Sequence, residues 1–344
     1  MQAIIDAVQK NSDIADARHA RDYSLCTYLL KMREFYRWHK GLDFTASLSS
    51  ETIGQWIEAK EALWQSLEAE NFVPIPLKGQ RFDPFDYENI NRQLVPRSLL
   101  YGSGYGRFGR PVFFLAELLR VERLGDCTLF VAGKEYAREL SAPPAMAQGK
   151  TLLVRSESVK RMLWEKIEEG EWRGRHAPLQ RAMAEHAFSE DAPKALEKMT
   201  ESVIEDIIIP HEMGEAMAGE ILGEAWDAML MAMTATQGEI MARAARDHLA
   251  DCLWTLPRML ERRRSGAIHA YFAMFSAVQK ALFPALFRAY KAWMASRDLT
   301  PLEEAVERGR THWMTIAQRA TELHRLHGTC CAPHVEALIR ENAL

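Results

Sequence analysis

Cysteine is scarce in this chain. Five residues in 344, Cys26, Cys127, Cys252, Cys330 and Cys331, are odd in number and scattered, a usage that argues against a disulfide framework and fits reduced thiols in a cytoplasm. Charge of one sign is not in excess either. A formal net charge of -4 is poorly suited to coating nucleic acid or an anionic membrane. Long apolar runs are missing too: the oiliest stretch, 267–287, is interrupted by His269, Gln279, Lys280 and Pro284 and falls short of the roughly 20 residues a membrane span needs. Residues 1–10 lack the basic start and apolar core of a signal peptide. These absences lead us to expect a soluble cytoplasmic protein, with neither nucleic acid nor membrane as partner.

The common catalytic signatures are missing as well. There is no G-x-S-x-G elbow to strain a serine nucleophile and no Walker A loop to cradle phosphates. Residues 104–109 spell G-x-G-x-x-G, but Pro111 and a strand-like run follow, whereas a dinucleotide site needs a helix N-terminus there. Without H-R-D and D-F-G motifs, kinase chemistry would lack both its base and its magnesium site. No repeat of 20 to 50 residues points to a solenoid.

What is present has ordinary globular proportions, 48% hydrophobic and 26% charged, at a length that suggests two domains. Apolar spacing predicts helices over 23–40, from Ser50 onward, and from Asp83-Pro84 to about Leu94. Residues 72–80 read as extended. The texture then changes: a glycine-rich loop over 101–110 precedes strand-like runs at 112–123, 128–132 and 151–155, and Ser156 reads as the cap of a helix to Glu169. The polar stretch 170–178 reads as a boundary. Beyond it everything reads as helix: 179–188, 193–209, 210–254, 266–296, 301–327 and a short one from Pro333, with breaks expected at Gly238 and Pro257. The expected fold is therefore mainly α with a small β element. Residues 1–170 would form a helical segment with a small antiparallel sheet and the glycine-rich loop, and 171–344 an antiparallel helical bundle domain.

Three constellations could carry chemistry. On the helix opening at Pro210, His211 and Glu215 share a face with Ala218, Ile221, Leu222, Ala225, Met229 and Met233. An ionisable pair aimed at a core must be neutral, hydrogen-bonded or metal-bound. His248, on a buried face with Met241, Ala245 and Leu249, could meet them, with Cys252 nearby. Inward histidine and carboxylate are how helical proteins hold iron or manganese, although no histidine here follows a glutamate at the three-residue spacing of ferritin-like sites. The bland alternative is a structural hydrogen-bonded histidine. His324, His327, Cys330, Cys331 and His334 form a second set, with donors that zinc accepts; against it, adjacent cysteines rarely both ligate one ion. The third set interleaves Tyr101, Tyr105 and Phe108 with Arg107 and Arg110 in the glycine-rich loop, suited to a ligand or partner, unless the aromatics simply pack on the adjacent sheet. The triplet 262–264 reads as a solvated corner.

The first expectation for function is a non-catalytic module that binds a protein or small-ligand partner, or its own copy through apolar helices. The second is an iron- or manganese-dependent oxidoreductase with its His/Glu site among the C-terminal helices. The third is a zinc or redox site at the C-terminus.

Overall fold

A computed structural model describes residues 1–106, 109–173 and 177–344. The chain forms two compact units, Met1–Gly174 with Asp191–Thr200, and Arg175–Glu190 with Glu201–Leu344.

The first unit opens on α1 (Gln2–His19), α2 (Leu25–Lys40) and α3 (Ser50–Leu67). Ser24 caps α2, which ends on Gly41 in the left-handed conformation that glycine adopts most cheaply, and Ser49 caps α3. Helix α1 goes unannounced by apolar spacing because Asn11, Ser12, Asp13 and Asp16 interrupt the buried face that Ile4, Val8, Ile14 and Ala15 also form. Asn11 exchanges hydrogen bonds with the Val73 backbone at 2.7 and 2.9 Å, Ser12 donates to the Phe113 carbonyl at 2.9 Å, and Asp16 accepts from the Leu140 N–H.

The hairpin of β1 (Ile75–Leu77) and β2 (Gln80–Phe82) and helix α4 (Tyr87–Leu94) lead into a five-stranded sheet. Its strands are β3 (Leu99–Tyr105), β4 (Pro111–Leu124), β5 (Cys127–Ala137), β6 (Ala145–Gln148) and β7 (Thr151–Arg155), in the order β3-β4-β5-β7-β6. The β5–β7 pair is parallel and the other pairs are antiparallel. Register shifts between Leu115 and Arg120 strengthen the local twist and curl the sheet into a half-barrel. The β component is thus larger than the small antiparallel element expected, and it is mixed.

The expected glycine-rich loop is mostly strand β3, paired along its length with β4. Its glycines serve packing: a Cβ at Gly102 would strike the Phe114 ring, and one at Gly104 the Gln148 amide. Tyr101 is fully buried and donates its hydroxyl to the Pro84 carbonyl at 2.6 Å. Tyr105 is exposed but stacks on Phe85. Arg110 lies over the Tyr23 ring, 3.3 Å from Asp22. Arg107 and Phe108 lie outside the described residues. The first unit closes with α5 (Ser156–Arg173), packed on β5 and α2.

Between β5, β7, α2 and α5 runs a buried ionic network. Arg155 binds Glu135 at 2.8 Å and Glu139 at 2.9 Å, Ser158 donates to Glu135, and Arg37 bridges Glu34 and Glu168.

Helices α6 (Ala177–Glu185) and α7 (Ala192–Val203) precede a π-helical turn, Ile204–Ile208, that runs into α8 (Ile209–Ala232). Helix α9 (Gln237–Ala250) ends in a second π turn, Asp251–Thr255. Then come α10 (Leu256–Arg262), α11 (Ser265–Met274), α12 (Ala277–Leu282), α13 (Pro284–Ser296), α14 (Thr300–His327) and α15 (Ala332–Glu341). The second unit is helical throughout its described residues, in shorter pieces than the long bundle expected. The chain breaks at 233–236 rather than at Gly238, which presses on the Ala332 backbone inside α9, and Pro257 sits in the first turn of α10, where its missing N–H costs nothing. No helix among the described residues is long and apolar enough to cross a membrane.

Candidate metal centre

Helix α8 carries Pro210 in its first turn, followed by His211 and Glu215, four residues apart on one face. The π turn before it takes up the proline, which lacks the N–H a regular helix would use. Opposite lies the end of α9, whose Arg246 and Asp247 are followed by Asp251 at the start of the second π turn. The two helices meet closely at Gly214, where a Cβ would collide with the Ala250 backbone.

That crossing assembles the cluster. The Nδ1 of His211 lies 2.7 Å from Asp251 Oδ1, and Tyr271 donates its hydroxyl to Asp251 Oδ2 at 2.8 Å. The carboxylate thus fixes the His211 ring and leaves Nε2 facing Glu215, 3.5 Å away. Arg246 donates to Glu215 at 2.8 Å, and Gln279 reaches Asp247 at 3.4 Å. One ligand atom from each of His211, Glu215 and Asp247 falls within 4.8 Å of the others. His211 and Glu215 remain 25% and 20% exposed at their side chains, so the cluster meets solvent on one side.

The electrostatics follow from this crowding of acids. Burial opposes charge on the His211 ring, but Asp251 and Glu215 outweigh it and hold its pKa well above the usual histidine value. Burial would raise Glu215 also; its contacts with His211 and Arg246 win, and it stays well below the usual carboxylate range. Glu212, buried beside Glu215, is pushed up to about 8 and is a neutral acid at neutral pH.

His248 is not brought to this cluster. It points the other way, with Nε2 3.1 Å from the Gln279 carbonyl and its ring stacked against Phe275 and Trp313. Burial pushes it down to about 4, leaving it neutral, and a carbonyl partner requires the proton on Nε2. Cys252 sits against Gly309 of α14 with its thiol raised well above normal by burial, a poor thiolate. The apolar stripe expected around His211 is also interrupted. Gly223 is non-helical inside α8, and Ile221 before it is exposed, while Trp226, Met229 and Met233 after it are buried.

At the C-terminus, no three ligand atoms of His324, His327, Cys330, Cys331 and His334 converge in the way those of His211, Glu215 and Asp247 do; that group is the only such group among the described residues. His327 and His334 stack on each other, Cys330 is exposed, and Cys331 is buried. Sequence reasoning missed Asp247, Asp251, Arg246 and Tyr271. Asp247 and Asp251 repeat the four-residue spacing of His211 and Glu215, a signal that was present and unread.

Residues 3–155 match the model for the N-terminal domain of a family of unknown function (DUF6866), and residues 160–342 match the model for its C-terminal domain. No curated protein and no solved structure matches the chain.

Proposed function

We propose, for a chain that belongs to this family of unknown function, that the second unit is a metal-dependent enzyme binding one divalent cation through His211 Nε2, Glu215 and Asp247. The convergence of those three ligand atoms carries the reading. Asp251 would orient the imidazole from its far side, as outer-shell carboxylates do for metal-bound histidines, and Tyr271 would hold Asp251 in turn. The charge balance also favours a cation. Three carboxylates, Glu215, Asp247 and Asp251, face one guanidinium and one imidazolium, an excess of one negative charge. A divalent cation entering as the His211 proton leaves removes that excess.

One nitrogen and two oxygen donors suit manganese, iron or zinc, and without thiolate they favour the first two. Three protein ligands leave coordination positions open, as in catalytic rather than structural centres, and with iron or manganese such a centre serves redox chemistry. A binding module without metal has only the missing motifs in its favour.

Calorimetric titration of the purified chain with Mn²⁺ and, under anaerobic conditions, Fe²⁺ tests the reading. About one equivalent should bind. His211→Ala and Asp247→Asn should each abolish binding, Asp251→Asn should weaken it about 10- to 100-fold, and His248→Gln and His327→Ala should leave it intact. Because the metal displaces a proton from His211, affinity should rise with pH from 6 to 8. Absence of binding, or full binding by His211→Ala, overturns the assignment.

A further inference from the structure

A second site, away from the residues of the metal cluster, lies where four helix ends meet. The C-terminus of α10, the start of α11, the end of α13 and the N-terminus of α14 line an open pocket of about 380 Å³, within the usual size range of small-molecule pockets. Its chemistry is set by two arginines. Arg263 and Arg297 each occupy the residue just past a helix end in the left-handed conformation, at φ 54° and 61°. Glycine is the usual residue there because a Cβ is strained at such angles. At both ends this chain places a guanidinium instead, and both guanidinia line the same cavity.

Neither arginine is spent on an acid. Among the described residues, neither Arg263 nor Arg297 has a carboxylate within ion-pair distance, whereas the neighbours Arg262 and Arg264 both clamp the buried Asp206, at 2.6 and 3.1 Å. The triplet that reads as a solvated corner is thus divided: two arginines bind Asp206 and the middle one faces the cavity. Arg297 lies over the Trp293 indole, 5.2 Å from the ring centroid. Trp293 itself is buried. Ser265 and Thr300 bring hydroxyls to the lining. Asp298, the nearest acid in sequence, is turned to the helix: its Oδ1 accepts both the N–H and the hydroxyl of Thr300. Glu303 stands exposed in the first turn of α14.

Two guanidinium forks, the Ser265 hydroxyl and the positive end of the 28-residue α14 make a set of donors, with Asp298 and Glu303 the acids beside them, and guanidinium forks match tetrahedral oxyanions. We propose that this cavity binds the phosphate group of a small molecule, Arg263 and Arg297 gripping its oxygens from two sides. The volume leaves room beyond the phosphate for an organic body.

Because glycine is the natural residue at both arginine positions, the test carries its own folding control. The double variant Arg263→Gly/Arg297→Gly removes both guanidinia yet relieves the backbone, so its thermal midpoint should match or exceed that of the wild type. Titration calorimetry with inorganic phosphate and with phenyl phosphate should show one site on the wild type and at least tenfold weaker binding on the variant. Tighter binding of phenyl phosphate identifies a phosphorylated small molecule as the ligand; equal binding identifies free phosphate. No binding of either probe to the wild type at 10 mM probe, or undiminished binding by the variant, overturns the proposal.

Discussion

A buried glutamate in the first unit shows how much a single side chain can ask of its surroundings. Glu34 is fully buried, and burial, with Glu168 adding to it and Arg37 opposing, pushes its carboxyl up to about 7. A carboxyl with a folded pKa above its unfolded value keeps its proton longer in the folded chain, so stability falls as pH rises from about 4.5 to about 7. At about 1.4 kcal/mol per pKa unit, the loss is on the order of 3 kcal/mol. Glu34→Gln cannot ionise, and it should gain about that much on the wild type between pH 5 and pH 8, as urea denaturation at the two pH values would measure. A difference that stays constant would mean that Arg37 holds Glu34 charged throughout. None of this network is legible in the sequence, where nothing in the spacing of Glu34, Arg37 and Arg155 marks them as buried partners. His211 and Glu215 were legible because spacing alone places them on one face; Asp251 and Tyr271 needed the crossing of two helices to reveal them.

Elements were most legible where a strong pattern met a local partner. The strand-like runs at 112–123, 128–132 and 151–155 correspond to β4, β5 and β7. Strand β3 hid behind its glycines, which are there for Phe114 and Gln148 rather than for a turn. The run 266–296 separates into α11, α12 and α13 because Ser276 caps a new helix, with Gln279 completing the reciprocal bond, and Pro284 starts another. The same kind of close approach gives a test at the α8–α9 crossing. Gly214→Ala must push α8 away from the Ala250 backbone, at a cost of about 1–3 kcal/mol for overpacking. The separation should also draw His211 away from Asp251 and Asp247. Its Mn²⁺ affinity should therefore drop with its thermal midpoint, whereas Gly219→Ala, with open space around its Cβ, should leave the affinity unchanged and raise the midpoint slightly, alanine being the better helix former. Equal metal affinity in the two variants would detach the crossing from the centre.

Across the whole molecule, chain order and spatial grouping differ. Residues 191–200 group with the first unit although 175–190 precede them in the second. Leu196 and Met199 are buried, and Glu197 pairs with Lys160 of α5 at 2.9 Å. A fragment of residues 1–174 should consequently melt below one of residues 1–203, since it exposes the surface those side chains cover. Identical midpoints would show that the helix contributes nothing to the first unit. The two π turns have a consequence of another kind, for what kinds of sequence change the fold can absorb. Each is one residue longer than a regular helical turn requires, so either can give up that residue and close as an ordinary turn. Deleting one residue from Ile204–Ile208 should leave His211 and Glu215 near the face that meets α9, whereas deleting one from the regular helix α7 before it would rotate them together by about 100°. Changes of length should be tolerated in the π turns far better than in the helices that flank them.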